Sequence, residues 1–202
     1  PDISFSAIIS FGNYNPITIN DSGPASPYPS IIEVSGLSDI ILTDVNVTLL
    51  GLSHACPGDI HIALVGPTGA SVVLMANVDD GVCNNIDNVF LTFDNEASSP
   101  LPVSGQIVSG TYQVSQYNSG HSPVTPIPSH YFTFGTDLSI FDGLDPNGTW
   151  ELYVFDDFSS DTGSLSAGWI LNLETTAVPV PGAAFLLLSG LLGLAGVSRK
   201  RR

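Results

Sequence analysis

Apolar residues along this chain recur with a period of two, in short runs broken by clusters of Gly, Pro, Ser and Asn. That alternation is the mark of strands with one face in a core and the other in water. Residues 4–11, 17–20 and 30–35 read as strands, with a Gly/Pro/Ser turn at 21–28. Residues 40–52 are the longest candidate: Val45, Val47 and Leu49 share one face, Asp44, Asn46 and Thr48 the other. Ile60, Ile62 and Leu64 alternate inward and leave His61 pointing out, before Gly66-Pro67-Thr68-Gly69 turns the chain into a partner strand at 71–75. Val89, Leu91 and Phe93 mark the next strand, 110–117 another and 137–141 a brief one. Residues 118–130 hold three prolines and two histidines and read as an irregular loop.

The sharpest pattern spans residues 147–174. Trp150, Leu152 and Val154 line one strand face; Trp169, Leu171 and Leu173 line one face of a second strand. An acidic turn with Asp156, Asp157 and Asp161 joins them, so the segment reads as a hairpin-like unit anchored by both tryptophans of the chain. About nine short strands, with turns at the spacing of a sandwich, predict an all-β domain: a jelly-roll-like antiparallel β-sandwich.

One segment breaks the period. Val178-Pro179-Val180-Pro181 is an extended spacer that cannot sit centrally in a sheet, and residues 182–198 are uncharged and rich in Leu, Ala and Gly. As a helix they would run about 25 Å, at the short end for a hydrocarbon core of ~30 Å. Arg199, Lys200, Arg201 and Arg202 follow, the arrangement of a membrane helix with its basic flank on the cytoplasmic side. The expected organisation is a strand segment at 1–12, the sandwich at 13–177 and the tail at 178–202.

Charge sharpens this division. The four basic residues are the last four, and the nineteen carboxylates all precede them. The body therefore has no Lys or Arg to pair internally, disfavours nucleic acid and anionic surfaces, and favours divalent cations. The chain starts at Pro1, which reads as a processed terminus or a fragment start. Cys56 and Cys83 are the only cysteines. In an exported, Lys-free domain they suggest one disulfide, worth roughly 3 kcal/mol through loop closure, with two buried thiols as the alternative.

For catalysis the residues offer little. No Gly-x-Ser-x-Gly elbow occurs, and His54 lies beside a turn near Cys56 and Asp59, a poor setting for a triad. No Cys-x-x-Cys or His-Glu-x-x-His spacing suggests zinc, so the four histidines are expected to face solvent. Calcium takes six to eight oxygens, and three loop clusters are candidates to supply them: Asp79 with Asp80, Asp94 with Glu96, and Asp156 with Asp157 and Asp161.

Two resemblances cover most of the chain. The tail, with its Val178-Pro179-Val180-Pro181 motif, short Leu/Gly/Ala segment and basic end, resembles the PEP-CTERM sorting signals of Gram-negative bacteria. Val180 stands where the usual motif has an acidic residue. The resemblance implies an exosortase-type processing enzyme as partner, transient inner-membrane anchoring, and delivery to the cell surface or medium. The body resembles the P domain (P/Homo B) that follows the catalytic domain of subtilisin-like proprotein convertases. The matching residues include Tyr28-Pro29-Ser30, His54, Pro57-Gly58-Asp59-Ile60, Leu64-Val65-Gly66-Pro67, Leu91-Thr92-Phe93-Asp94 and Gly110-Thr111-Tyr112. They continue through Pro146-Asn147-Gly148-Thr149-Trp150, Asp156-Asp157, Asp161-Thr162-Gly163-Ser164-Leu165 and Gly168-Trp169. The resemblance implies a jelly-roll module that stabilises or regulates a protease, with calcium bound in bacterial members.

The expectation that follows is a non-enzymatic, surface-sorted binding or structural module, stabilised by calcium and placed in the extracellular matrix or a surface assembly. The alternatives are an accessory domain of a secreted subtilisin-like protease, or a self-assembling extracellular subunit that lends its first strand to a neighbour's sheet.

Overall fold

A computed structural model describes residues 6–38, 40–78, 82–117 and 133–177. The tail at 178–202, with its sorting motif and basic flank, lies outside the described residues, as do Asp79 and Asp80. Among the described residues no helix is long and apolar enough to cross a membrane.

The described strands are, in chain order, β1 (Ser6–Asn13), β2 (Ile17–Ile19), β3 (Gly23–Pro24), β4 (Ser30–Val34), β5 (Ile40–His54), β6 (Ile60–Val65) and β7 (Ala70–Ala76). They continue with β8 (Ile86–Phe93), β9 (Gly110–Tyr112), β10 (Ser115–Gln116), β11 (Thr133–Gly135), β12 (Gly148–Asp156), β13 (Gly163–Leu165) and β14 (Trp169–Ala177). They form two seven-stranded sheets. In the first, the order β1-β14-β5-β13-β2 runs along one path, with β8 and β9 beyond the other edge of β5. In the second, β10-β7-β6-β12-β3 is the path, with β11 on β7 and β4 on β12.

One continuous core lies between the sheets, with Val45, Val47 and Leu49 of β5 and Leu171 and Leu173 of β14 on one side. Ile60, Ile62 and Leu64 of β6 and Leu152 and Val154 of β12 close it from the other. Each such side chain contributes about 1.5–3 kcal/mol when fully buried. Both tryptophans are wholly buried. Trp150 donates its indole N–H to the Pro146 carbonyl at 2.9 Å, and Trp169 donates to Ser30 Oγ at 3.0 Å, a bond from the first sheet to the second.

Four expectations change. The unit at 147–174 is not a hairpin: β12 belongs to the second sheet and β14 to the first, so the acidic turn crosses from one sheet to the other. Identical alternation in both strands is satisfied equally by facing sheets. The sheets are mixed and not purely antiparallel, because β9 on β8, and β10 and β11 on β7, pair in parallel. Those strands return after long crossing segments, which a parallel neighbour requires. The single strand expected at 110–117 divides between the two sheets as β9 and β10. Residues 137–141 are a 3-10 turn, Leu138–Phe141, because the Asp137 carboxylate accepts the Ser139 N–H at 3.0 Å and caps it.

The first strand is used within the chain: every residue of β1 pairs with β14, from Ser6 opposite Thr176 to Asn13 opposite Trp169. Cys56 and Cys83 are joined as a disulfide, which ties the β5–β6 connection to the segment before β8.

Candidate metal centre

The site begins with an irregularity in β5. From Val45 to Leu49 the odd-numbered residues face the core; Leu52 and His54 continue the buried stripe on even numbers. The change of phase sits at a bulge between Leu49 and Leu52, where Gly51 takes φ +69°. A bulge adds one residue to one strand and flips the facing of all that follow. It therefore turns His54 inward, at 3% exposure, where unbroken alternation would leave it in water. Asp156 reaches the same end of the sandwich from the opposite sheet. It has the parity of Trp150, Leu152 and Val154 in β12, and its carboxylate is wholly buried.

The two meet between the sheets: His54 Nε2 lies 3.0 Å from Asp156 Oδ2. Asp161, from the connection between β12 and β13, places Oδ1 3.4 Å from the same nitrogen. That oxygen is buried and has no hydrogen-bond partner. The other oxygen of Asp156 accepts the Phe158 N–H at 2.9 Å. The connection is held by Ser160, at φ +117°, whose N–H donates to Asp21 Oδ1 at 2.8 Å. Gly163 opens β13 directly against the imidazole: a Cβ there would stand 2.5 Å from His54 Cδ2.

Nδ1 of His54 lies 2.8 Å from the Cys56 carbonyl oxygen, to which it donates when protonated, and 3.2 Å from the Cys56 N–H, from which it accepts when it is not. In the first tautomer Nε2 turns a lone pair toward the two carboxylates; in the second it donates to Asp156 Oδ2 at 3.0 Å.

Two more carboxylates crowd this end. Asp59 lies in the 3-10 turn Pro57–Asp59, and its carbonyl accepts the Asp157 N–H at 3.0 Å. Burial, with the charges of Asp161, Asp156 and Asp157 behind it, pushes the Asp59 carboxyl up to about 6. Burial also raises Asp156, against the pull of the Phe158 amide and His54. Asp157 faces elsewhere. Its Oδ2 lies 3.1 Å from Nε2 of His61, which is buried at 1% exposure. That contact is out of line for a hydrogen bond, and Nε2 of His61 has no hydrogen-bond partner. His61 is buried, not solvent-facing, because β6 is covered on both faces: Ala63, Val65 and Tyr153 form a second apolar cluster on its outer side.

The acidic turn predicted as one cluster is thus divided, Asp156 and Asp161 to His54 and Asp157 to His61. Asp94 and Glu96 belong to a different place. With Asp44, Asn46 and Glu174 they line an open cleft on the outer face of β5. There Glu96 N–H donates to Asp94 Oδ1 at 2.7 Å and Asn46 donates to Asp44 Oδ2 at 2.6 Å. Burial and the Asp94 charge raise Asp44, and a bond to Asp94 raises Glu96. Among the described residues, three ligand atoms converge within 4.8 Å at His54, Asp156 and Asp161, and at Asp59, Asp161 and the disulfide-bonded Cys56.

No protein-family model matches the chain, and no curated protein does. Among solved structures it is similar to the serine protease of Aeromonas sobria, at 14% identity and a TM-score of 0.41, over 86% of this chain and 27% of that one. The same protease in complex with the chaperone ORF2 matches at 15% identity, with a TM-score of 0.41 and the same coverage. The chain thus spans 27% of the length of the proteases it matches.

Proposed function

We propose that this chain is a non-enzymatic, P-domain-like jelly-roll module that binds partners or builds structure at the cell surface. The observation that carries this reading is the engagement of His54. A triad histidine orients through a carboxylate on Nδ1 and presents Nε2 to a nucleophile. In this chain Nδ1 meets a backbone carbonyl, and Nε2 meets two carboxylates. Among the described residues no hydroxyl bonds either ring, of His54 or His61. These groups join the two sheets, and among the described residues no hydroxyl stands against them to be activated.

The tail gives the route: export, passage through the inner membrane, and processing by an exosortase-type enzyme at Val178-Pro179-Val180-Pro181. Calcium fits the donors of Asp44, Asp94, Glu96 and Glu174, which are all oxygen and have no basic neighbour. It fits Asp156 and Asp161 poorly, because an imidazole nitrogen stands between them.

Hydrolysis of a peptide library by the purified chain tests the central point. No turnover is expected, and turnover lost on His54→Ala would overturn the reading. Removal of residues 178–181 is expected to hold the protein at the inner membrane; unchanged surface delivery would remove the sorting route. A subtilisin-like domain encoded directly upstream would assign the module instead to a secreted protease as its accessory domain.

A further inference from the structure

We propose that His54, Asp156 and Asp161 bind a divalent cation of the zinc class, a borderline d-block metal, and not calcium. The distances carry the geometry. Zinc holds nitrogen and carboxylate oxygen at about 2.0–2.2 Å, so tetrahedral donors stand about 3.4 Å apart. His54 Nε2 is 3.0 Å from Asp156 Oδ2 and 3.4 Å from Asp161 Oδ1. The third side, between the carboxylates, lies within 4.8 Å, so the three donors are close enough to converge on one ion.

The orientation of the donors points the same way. A metal-bound histidine characteristically donates its other ring N–H to a carboxylate or backbone carbonyl, which fixes the tautomer. His54 Nδ1 meets the Cys56 carbonyl at 2.8 Å. In the tautomer that donates there, the lone pair of Nε2 faces the two carboxylates. Asp161 Oδ1 has no hydrogen-bond partner, although the oxygen is out of contact with water. A second buried imidazole approaches the same turn: His61 Nε2, likewise without a hydrogen-bond partner, lies 3.1 Å from Asp157.

Charge supplies the demand. Asp59, Asp156, Asp157 and Asp161 gather here, and no Lys or Arg occurs before residue 199. A neutral His54 leaves this end with uncompensated negative charge, which a divalent ion cancels. Calcium requires six to eight oxygens, whereas two carboxylates and one nitrogen converge here. Asp161, with its side chain 17% exposed, is the ligand next to solvent and leaves room for water at a fourth position.

The rival state is a doubly protonated His54 imidazolium between the two carboxylates, and the test separates them. The full chain, stripped with chelator, is titrated with zinc alone and with calcium alone by calorimetry. A zinc site that includes His54 and binds at least tenfold tighter than calcium is expected. Asp161→Asn removes a charge without breaking a hydrogen bond, and should weaken that zinc binding at least tenfold. The paired change Asp94→Asn and Glu96→Gln should leave it unaltered. Equal zinc affinity in the Asp161→Asn chain, or calcium binding as tight as zinc at His54, overturns the proposal. In the unsubstituted chain, nitrogen-15 NMR of His54 gives an independent reading. Zinc should shift Nε2 while Nδ1 keeps its proton. A ring protonated at both nitrogens in the presence of saturating zinc sinks the proposal in favour of the imidazolium.

Discussion

Two places in this molecule collect four carboxylates each, with no Lys or Arg to offset them. At the His54 end, Asp156 is wholly buried, an imidazole lies 3.0 Å away, and the groups are held from both sheets. On the outer face of β5, Asp44, Asp94, Glu96 and Glu174 spread along an open cleft, and water screens them. The charge count is the same and the chemistry is not. What separates them is burial, which for Asp156 follows from its place on the inner face of β12, and the direction in which a nitrogen points, which the extra residue in β5 sets for His54. The largest test of this contrast is His54→Ala. It leaves Asp156 buried without its partner, and breaking a buried pair in this way costs about 3–5 kcal/mol. Urea unfolding in the presence of chelator should show that loss. A change below about 1 kcal/mol would mean that the buried pair does not distinguish the two clusters.

Next in size is Gly163→Ala. The added methyl meets the His54 ring and the Ser53 carbonyl oxygen, so either β13 or the imidazole must move. Overpacking of this kind costs about 1–3 kcal/mol. The sharper expectation is a coupling. The Gly163→Ala cost should shrink when His54 is already Ala, because the ring it strikes is gone. Additive losses in that double-mutant cycle would place the strain on the Ser53 backbone alone.

How far the sequence foretells this arrangement depends on the residue. Alternation finds the inner faces of β12 and β14 and the outward Asp44 and Asn46, because the core-facing residues there recur every second position, from Trp150 to Asp156 and from Val45 to Leu49. It cannot tell a hairpin from two strands on facing sheets, since both bury the same residues. His54 escapes because Gly51 shifts the phase. A glycine inside an alternating run is the one available sign of a bulge. Asp156 was legible and is easily misread as part of the turn. Counting by twos from Trp150 lands on it, a carboxylate at a core position, and such a position demands a partner. That the partner is His54, and that Asp157 turns instead to His61, rests on contacts between sheets that no local pattern encodes.

Asp59 connects the contrast to pH. Its carboxyl is raised from the ordinary 3.8 to about 6, chiefly by burial and then by its acidic neighbours. The folded protein therefore keeps this proton in a window where the unfolded chain has lost it. Stability from this group is present below 3.8 and declines as pH rises to about 6. Asp156, raised by burial, acts in the same direction. Because Asp59 is partly exposed, the effect is expected to be smaller than that of Gly163→Ala. Unfolding of the chelator-treated chain between pH 4 and 7 should show the decline, and Asp59→Asn should flatten it. An equal slope in both chains would remove Asp59 as the cause.

The smallest effect is expected on the open face, and it is informative for that reason. Glu96 holds its carboxyl high through a bond to Asp94, and Asp44 is raised in part by the Asp94 charge. Neutralising the cluster with Asp94→Asn and Glu96→Gln removes repulsion between exposed groups and no buried partner. Surface changes of this kind stay within about 0.5 kcal/mol. The metal-free chain should therefore unfold almost as before, while any calcium response weakens, because a hard cation needs those oxygens. A calcium response that survives the pair intact would move calcium away from this face. A loss above about 2 kcal/mol would instead show that Asp94 and Glu96 hold the fold together as His54 and Asp156 do, and the distinction between a solvated cluster and a buried one would collapse.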